Sequence, residues 1–204
     1  AGGHIRAMQR SAKGLLAGAD VREYHLEAEL LHAFRDAGAQ FPAYTSIVAA
    51  GANACVLHYR AGNAPVKSGD LVLIDAGCEL DGYASDITRT YAYDTGSEFA
   101  EMIAMMDQQQ QALVAAGVID RSAVDMQLLM EAKIAEVLKQ FGILTASVEA
   151  AIDAKILSTF CPHTLGHHLG INVHDKGARL ANAAGDPYPV IPGYKGLNSA
   201  PIVA

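Results

Sequence analysis

The residues best suited to chemistry are two aspartates and a crowd of histidines. Asp75 closes the apolar run Leu71-Val72-Leu73-Ile74, and Asp86 follows in the pair Asp86-Ile87. Between them lies Asp81-Gly82, a strong hairpin signal, because a two-residue type I′ turn needs positive φ at both central positions and this pair tolerates it. With that loop, Leu80 faces Tyr83 and Asp75 faces Thr88. Asp86 is two residues from Thr88, so it points to the same face as Asp75 as its diagonal neighbour, with Cα atoms about 7–8 Å apart. Two carboxylates on one buried face repel each other and cost desolvation energy unless something positive sits between them. A divalent cation, or a pair of them roughly 3.5–4 Å apart, fits that gap. The plainer alternative is that Asp75 caps a turn and Asp86 pairs with Arg89.

Four of the eight histidines fall within twelve residues: His163, His167, His168 and His174. Imidazole is the commonest metal ligand and titrates near neutral pH, so such a cluster points to metal binding or proton transfer. His163 and His167 have the spacing of a helical zinc site, but Pro162, Gly166 and Gly170 argue for an extended segment. In that form His163 and His167 share one face, and His168 and His174 the other. His58, ending the run Ala54 to Leu57, is by spacing alone more readily a structural histidine.

The elements that must position these residues follow from periodicity. Apolar residues at Leu26, Leu30, Ala33, Phe34 and Ala37 form a helical stripe over Val21 to Ala37, stopped by Gly38, with a preceding helix at Ile5 to Leu16 ended near Gly18. Ser46 to Ala50 and Ala54 to Tyr59 are short apolar runs among turn residues, Leu71 to Gly77 reads as a buried strand, and Tyr83 to Tyr93 as its partner. Helical tracts return at Glu98 to Ala116 and Ala123 to Phe141. A strand-like segment follows at His163 to Asp175, then a Gly/Pro-rich tail from Asp186 to Ala204.

Length and composition set the frame. The chain has 204 residues, 51% hydrophobic and 18% charged, enough for one globular domain over 1–204 with a first half near 1–95 and a second near 96–204. A net charge of −7 gives no electrostatic footprint for a phosphate backbone or an anionic membrane, so neither nucleic acid nor membrane is expected as a partner. Cys55, Cys78 and Cys161 form no paired spacing and are expected as buried small hydrophobes. The expected compartment is the cytoplasm. The start, Ala1-Gly2-Gly3-His4, lacks an initiator Met, and the expectation is a processed product or a piece of a longer polypeptide.

Three stretches carry a family resemblance: Tyr44 to Tyr59 (YTSIVAAGANACVLHY), Gly69 to Thr90 (GDLVLIDAGCELDGYASDITRT) and His163 to Asp175 (HTLGHHLGINVHD). They resemble the pita-bread metallopeptidases that act at proline, Xaa-Pro aminopeptidase (aminopeptidase P) and prolidase. The first half is more similar to bacterial aminopeptidase P, and the part from Tyr91 onward to bacterial prolidase. The resemblance implies an α+β pita-bread fold of two pseudo-symmetric helix-and-hairpin halves, the second truncated, around a site usually supplied with two manganese ions. It also implies that Asp75, Asp86 and His167 are metal ligands, and that His58, His163 and His174 hold the substrate and assist proton transfer. The implied reaction is attack on the scissile carbonyl of a proline-containing peptide by a metal-activated water. Selection for proline comes from pocket shape, since its tertiary amide offers no N–H.

One departure stands out. The family completes its site with two glutamates after the histidine block, and this chain has no glutamate after Glu149. Beyond His174 only Asp175 and Asp186 supply carboxylates. Either the chain is an incomplete copy of a longer enzyme or the site is degenerate, and in both cases the 204 residues alone are expected to hold a second ion weakly. An exposed sheet edge in a truncated half would favour association into a homo-oligomer. The rival readings are a prolidase in place of an aminopeptidase, and an inert pita-bread module kept for binding or dimerisation. A metal-free hydrolase of the creatinase kind is disfavoured because both aspartates are present.

Overall fold

The structure, a computed structural model, describes residues 2–177, 179–192 and 199–201. Within the tail expected from Asp186 onward, residues 193–198 and 202–204 lie outside the described residues. The chain divides into two compact units, Ala1–Glu101 with His168–Asp175, and Met102–His167 with Lys176–Ala204. Among the described residues no helix is long and apolar enough to cross a membrane.

The first unit opens with helices α1 (Gly2–Leu16) and α2 (Glu23–Asp36), which pack on each other. The expected stripe explains the second: Leu26 and Leu30 are fully buried, and Gly38 at φ 93° ends it. Two three-stranded antiparallel sheets follow. One has the order β2 (Ile47–Ala50), β3 (Leu71–Asp75), β6 (Thr88–Ala92); the other has β1 (Phe41–Pro42), β4 (Cys78–Leu80), β5 (Tyr83–Ala84). Strand alternation puts Val48, Ala50, Val72 and Ile74 into the core with Ala7, Leu26 and Leu30, and leaves Ile47, Leu73, Asp75 and Thr88 on the opposite face.

The hairpin register is the expected one. Leu80 pairs with Tyr83 and Asp75 with Thr88, while Asp81 and Gly82 take φ of 51° and 85° as a type I′ turn requires. The long strand expected over Tyr83 to Tyr93 is instead broken at residues 85–87, where the ribbon passes from one sheet to the other. Gly77 makes the break possible, because a Cβ there would lie 1.7 Å from the Ser85 carbonyl oxygen. The Ser85 N–H still donates to the Cys78 carbonyl at 2.9 Å, but the return bond from the Cys78 N–H goes to the Ser85 hydroxyl.

Two other expectations are corrected. Ala54 to Tyr59 forms no strand: Gly51–Cys55 is a 3-10 helix, followed by a turn in which His58 has φ 56°. That turn leaves Val56 and Leu57 exposed, so the apolar run is not a core run. The cysteines are not buried either, since Cys55 is exposed and Cys78 and Cys161 are half-buried.

The regular elements described in the second unit are helices, joined and followed by irregular chain. Its helices are α3 (Glu98–Ala116), α4 (Ala123–Gln140) and the short α5 (Val148–Asp153), which the sequence pattern did not suggest. Ser122 caps α4 by accepting from the Asp125 N–H at 3.1 Å, and the Asp125 carboxylate returns the bond to the Ser122 N–H, a capping box. Ala135, Leu138, Leu144, Ala151 and Leu157 form one small core, and Leu113, Met126 and Met130 another.

Candidate metal and catalytic site

The two aspartates meet at a tyrosine. Between the Ala43 N–H to Gly77 carbonyl bond and the Ile47–Asp75 pair, three residues, Tyr44, Thr45 and Ser46, stand against one, Ala76. The surplus bows the chain out of the ladder, as a bulge does, and turns Tyr44 over the carboxylate face. Its hydroxyl bonds Asp75 Oδ1 in a short contact and lies 2.8 Å from Asp86 Oδ1. Asp86 reaches this point because it stands opposite Gly77 at the break in the hairpin, next to the Ala76 N–H to Ile87 carbonyl bond of 3.1 Å.

Electrostatics reflect the crowding. Burial pushes the Asp75 carboxyl above its usual range, and the neighbouring Asp86 charge adds to it, while hydrogen bonds from Tyr44 and Thr88 pull it down. Burial, then the bonds to both carboxylates, drives the Tyr44 phenol strongly upward. Tyr44 therefore stays a neutral donor, whose single proton is shared between two acceptors.

A second polar network shapes the loop that carries His58. Glu23, fully buried at the start of α2, accepts four bonds: Ala50 N–H at 2.9 Å and Asn53 Nδ2 at 3.1 Å on one oxygen, Tyr59 hydroxyl at 2.9 Å and Ala64 N–H at 3.0 Å on the other. Arg60, in the same loop, donates to the Thr45 carbonyl at 2.6 Å and so ties it to the bulge holding Tyr44. His58 itself is exposed within this frame.

The histidine block is not a strand among the described residues. Its only ladder feature is the isolated bridge His168–Asp175, and a strand needs a partner along its length. In the first unit, the Ala84 N–H donates to the Gly170 carbonyl at 2.8 Å, which docks the segment on β5. Asp175 organises the turn by accepting from the Ile171 N–H at 3.0 Å, and a Cβ on Gly170 would lie 2.2 Å from its carboxylate. The exposed His174 precedes it.

In the second unit, buried Gln127 accepts from the Leu165 N–H at 2.7 Å and fixes the chain between His163 and His167. His163 Nδ1 donates to the Thr164 carbonyl at 2.9 Å, and its Nε2 lies 3.7 Å from the Cys161 sulfur. The Cys161 thiol beside it raises the imidazole to about 9, with burial acting the other way.

Asp75 and Asp86 are thus brought together, and His58 and His174 belong to the same unit, whereas His163 and His167 belong to the other. Among the described residues no group of three or more His, Cys, Asp or Glu side chains is placed to hold a metal ion. The aspartate pair nonetheless fits a divalent cation: two hard oxygen donors converge, and their mutual repulsion is relieved by positive charge.

Comparison with known proteins places this hairpin in a family. Residues 2–194 match metallopeptidase family M24. The chain belongs to that family. It is 38% identical over 181 residues to an Xaa-Pro aminopeptidase of Haemophilus influenzae, covering 86% of this chain and 40% of that protein. An Xaa-Pro dipeptidase of Colwellia psychrerythraea is 36% identical, with 89% and 40% covered. Aminopeptidase PepP of Pseudomonas aeruginosa superposes with a TM-score of 0.72 at 38% identity, over 94% of this chain and 43% of that one. Zinc-substituted Escherichia coli aminopeptidase P in complex with product gives 0.72 at 32% identity, with the same coverage. The fold is therefore that of the aminopeptidase P structures, the pita-bread fold the motifs imply. This M24 chain spans about 40% of the length of the curated relatives it matches.

Tyr44 and Glu23 are the residues that sequence reasoning missed in a functional sense. Tyr44 stands at the head of a motif that carried the resemblance, but nothing in local spacing says that it meets residues 31 and 42 positions away.

Proposed function

We propose that this M24 chain belongs to a metal-dependent exopeptidase that cleaves peptides next to proline, of the Xaa-Pro aminopeptidase type. The observation that carries the reading is the convergence of the half-buried Asp75 and Asp86 on one point of the hairpin. Their carboxylates are the proposed oxygen ligands of a divalent ion, manganese by the family resemblance, and His167 is assigned as imidazole ligand on that resemblance alone. The chemistry such an ion supplies when bound is polarisation of the scissile carbonyl and activation of water. His58, His163 and His174 are proposed to hold the peptide and move protons, and His163 suits donation because its imidazole stays protonated to about pH 9. The Xaa-Pro dipeptidase reading remains the alternative, since relatives of both names match at 38% and 36% identity.

The test is a Mn²⁺ titration of the chain with bound metal counted per chain, followed by an assay on an Xaa-Pro-Xaa tripeptide and an Xaa-Pro dipeptide. Asp75→Asn and His167→Ala are expected to lower metal occupancy, whereas His174→Ala keeps it and slows turnover. Cleavage of the tripeptide but not the dipeptide supports the aminopeptidase type. A chain that binds no ion, or binds it unchanged in Asp75→Asn, overturns the enzyme reading in favour of an inert binding module.

A further inference from the structure

The hydroxyl of Tyr44 touches both aspartates, and it reaches the Oδ1 atom of each. A carboxylate on a short side chain has two torsions, and a hydrogen bond to one of its oxygens fixes the direction of the other. One hydroxyl bonded to both therefore sets the spacing and the rotation of the two carboxylates together. The backbone supports this role. Tyr44 is placed by the three-against-one bulge, whose two ends are pinned by the Ala43 N–H to Gly77 carbonyl bond of 3.0 Å and by the Ile47–Asp75 pair, while Arg60 holds the middle through the Thr45 carbonyl. A side chain on a bulge anchored at three points is a rigid support, unlike one on a free loop.

We infer that Tyr44 is the positioning residue of the aspartate pair, and that its hydroxyl acts on cation binding through Asp75 and Asp86 rather than by touching substrate. The inference rests on the proposed function, since it concerns the same carboxylates, but it assigns a residue that the metal-ligand motif does not contain. A phenol suits the task because it donates without adding charge. A lysine or arginine in its place would neutralise the pair and compete with the cation.

The experiment is a double-mutant cycle read by calorimetric titration with Mn²⁺ alone. Tyr44→Phe removes the hydroxyl and keeps the ring. Its affinity for Mn²⁺ is expected to fall about 10–100-fold, the usual cost of losing a partner that orients a ligand. In an Asp75→Asn background the same change is expected to cost much less, because the hydroxyl then has only Asp86 to orient; a merely structural role would give additive losses. Unchanged or tighter binding in Tyr44→Phe, or strict additivity, overturns the inference while leaving the proposed function standing. Wild-type protein that binds no Mn²⁺ overturns both. Should Tyr44→Phe fold poorly, tyrosine absorbance of the wild-type protein reads the same contact, since the chain has eight tyrosines and no tryptophan. A Mn²⁺-dependent shift in that absorbance supports the inference, and a flat titration overturns it.

Discussion

Removing Glu23 should unfasten the loop that carries His58. The side chain is fully buried, and all four of its partners donate: the Ala50 and Ala64 N–H groups, the Asn53 amide and the Tyr59 hydroxyl. In Glu23→Ala these donors lose their acceptor at once, and Ala50 is itself buried, so water cannot readily replace it. Hydrogen bonds to a charged group contribute about 1.5–3 kcal/mol each but do not add, and a buried donor left without an acceptor costs about 1–3 kcal/mol. We expect about 4 kcal/mol for Glu23→Ala. For a chain of this size that lowers Tm by roughly 8–16 °C, at about 2–4 °C per kcal/mol. Glu23→Gln is the sharper control: its amide end must face two donors instead of accepting from them, so it should lose about half the effect or more despite its matching shape. Thermal unfolding followed by circular dichroism reads both. A Glu23→Ala shift below about 2 °C would refute the reasoning, because the network would then be incidental to stability.

Two further outcomes follow from the same unit. His4 is only 2% exposed, neither ring nitrogen has a hydrogen-bond partner, and burial pushes its pKa down to about 4, so it is neutral when folded and takes up a proton more readily when unfolded. Its contribution is complete above about pH 6.5 and is lost as pH falls toward 4, by up to roughly 3 kcal/mol; urea midpoints at pH 7 and 4.5 should diverge in the wild type and much less in His4→Leu. Gly77→Ala places a Cβ 1.7 Å from the Ser85 carbonyl oxygen and should destabilise by more than about 3 kcal/mol, with a near-neutral Tm contradicting the hairpin register.

The parts of this molecule that could be read from the sequence are those set by local rules. Asp81-Gly82 is a turn with its own chemistry, and once its two residues are the loop, every pair outward to Leu71–Ala92 follows. That is why Asp75 opposite Thr88, and Asp86 beside it, were legible. The helical stripe through Leu26 and Leu30 is local in the same sense. Tyr44 and Glu23 were not, because their partners lie 27 to 42 positions away and are brought to them by a bulge and by sheet-to-helix packing. The His163 to Asp175 block failed for a related reason. Its β-like composition is real, but a strand exists only with a partner, and here Gly170 and Asp175 close the segment into a turn instead.

The later carboxylates show how a composition argument and a placement argument differ. Asp175 and Asp186 are the acidic residues of this chain that follow His174, so by count they are the natural candidates for further oxygen ligands. By placement each serves its own loop. Asp175 accepts from the Ile171 N–H at 3.0 Å and from the Asn172 amide at 3.4 Å, and Asp186 accepts from the Asn182 amide at 2.7 Å. A carboxylate recruited to a cation would have to give up bonds that hold its turn together, at about 0.5–1.5 kcal/mol each. Asp75 and Asp86 are instead joined through the Tyr44 hydroxyl, which reaches the Oδ1 atom of each and orders both toward one point. The expectation for the proposed site is therefore at most one tightly held ion per chain, and the metal count in the Mn²⁺ titration tests it.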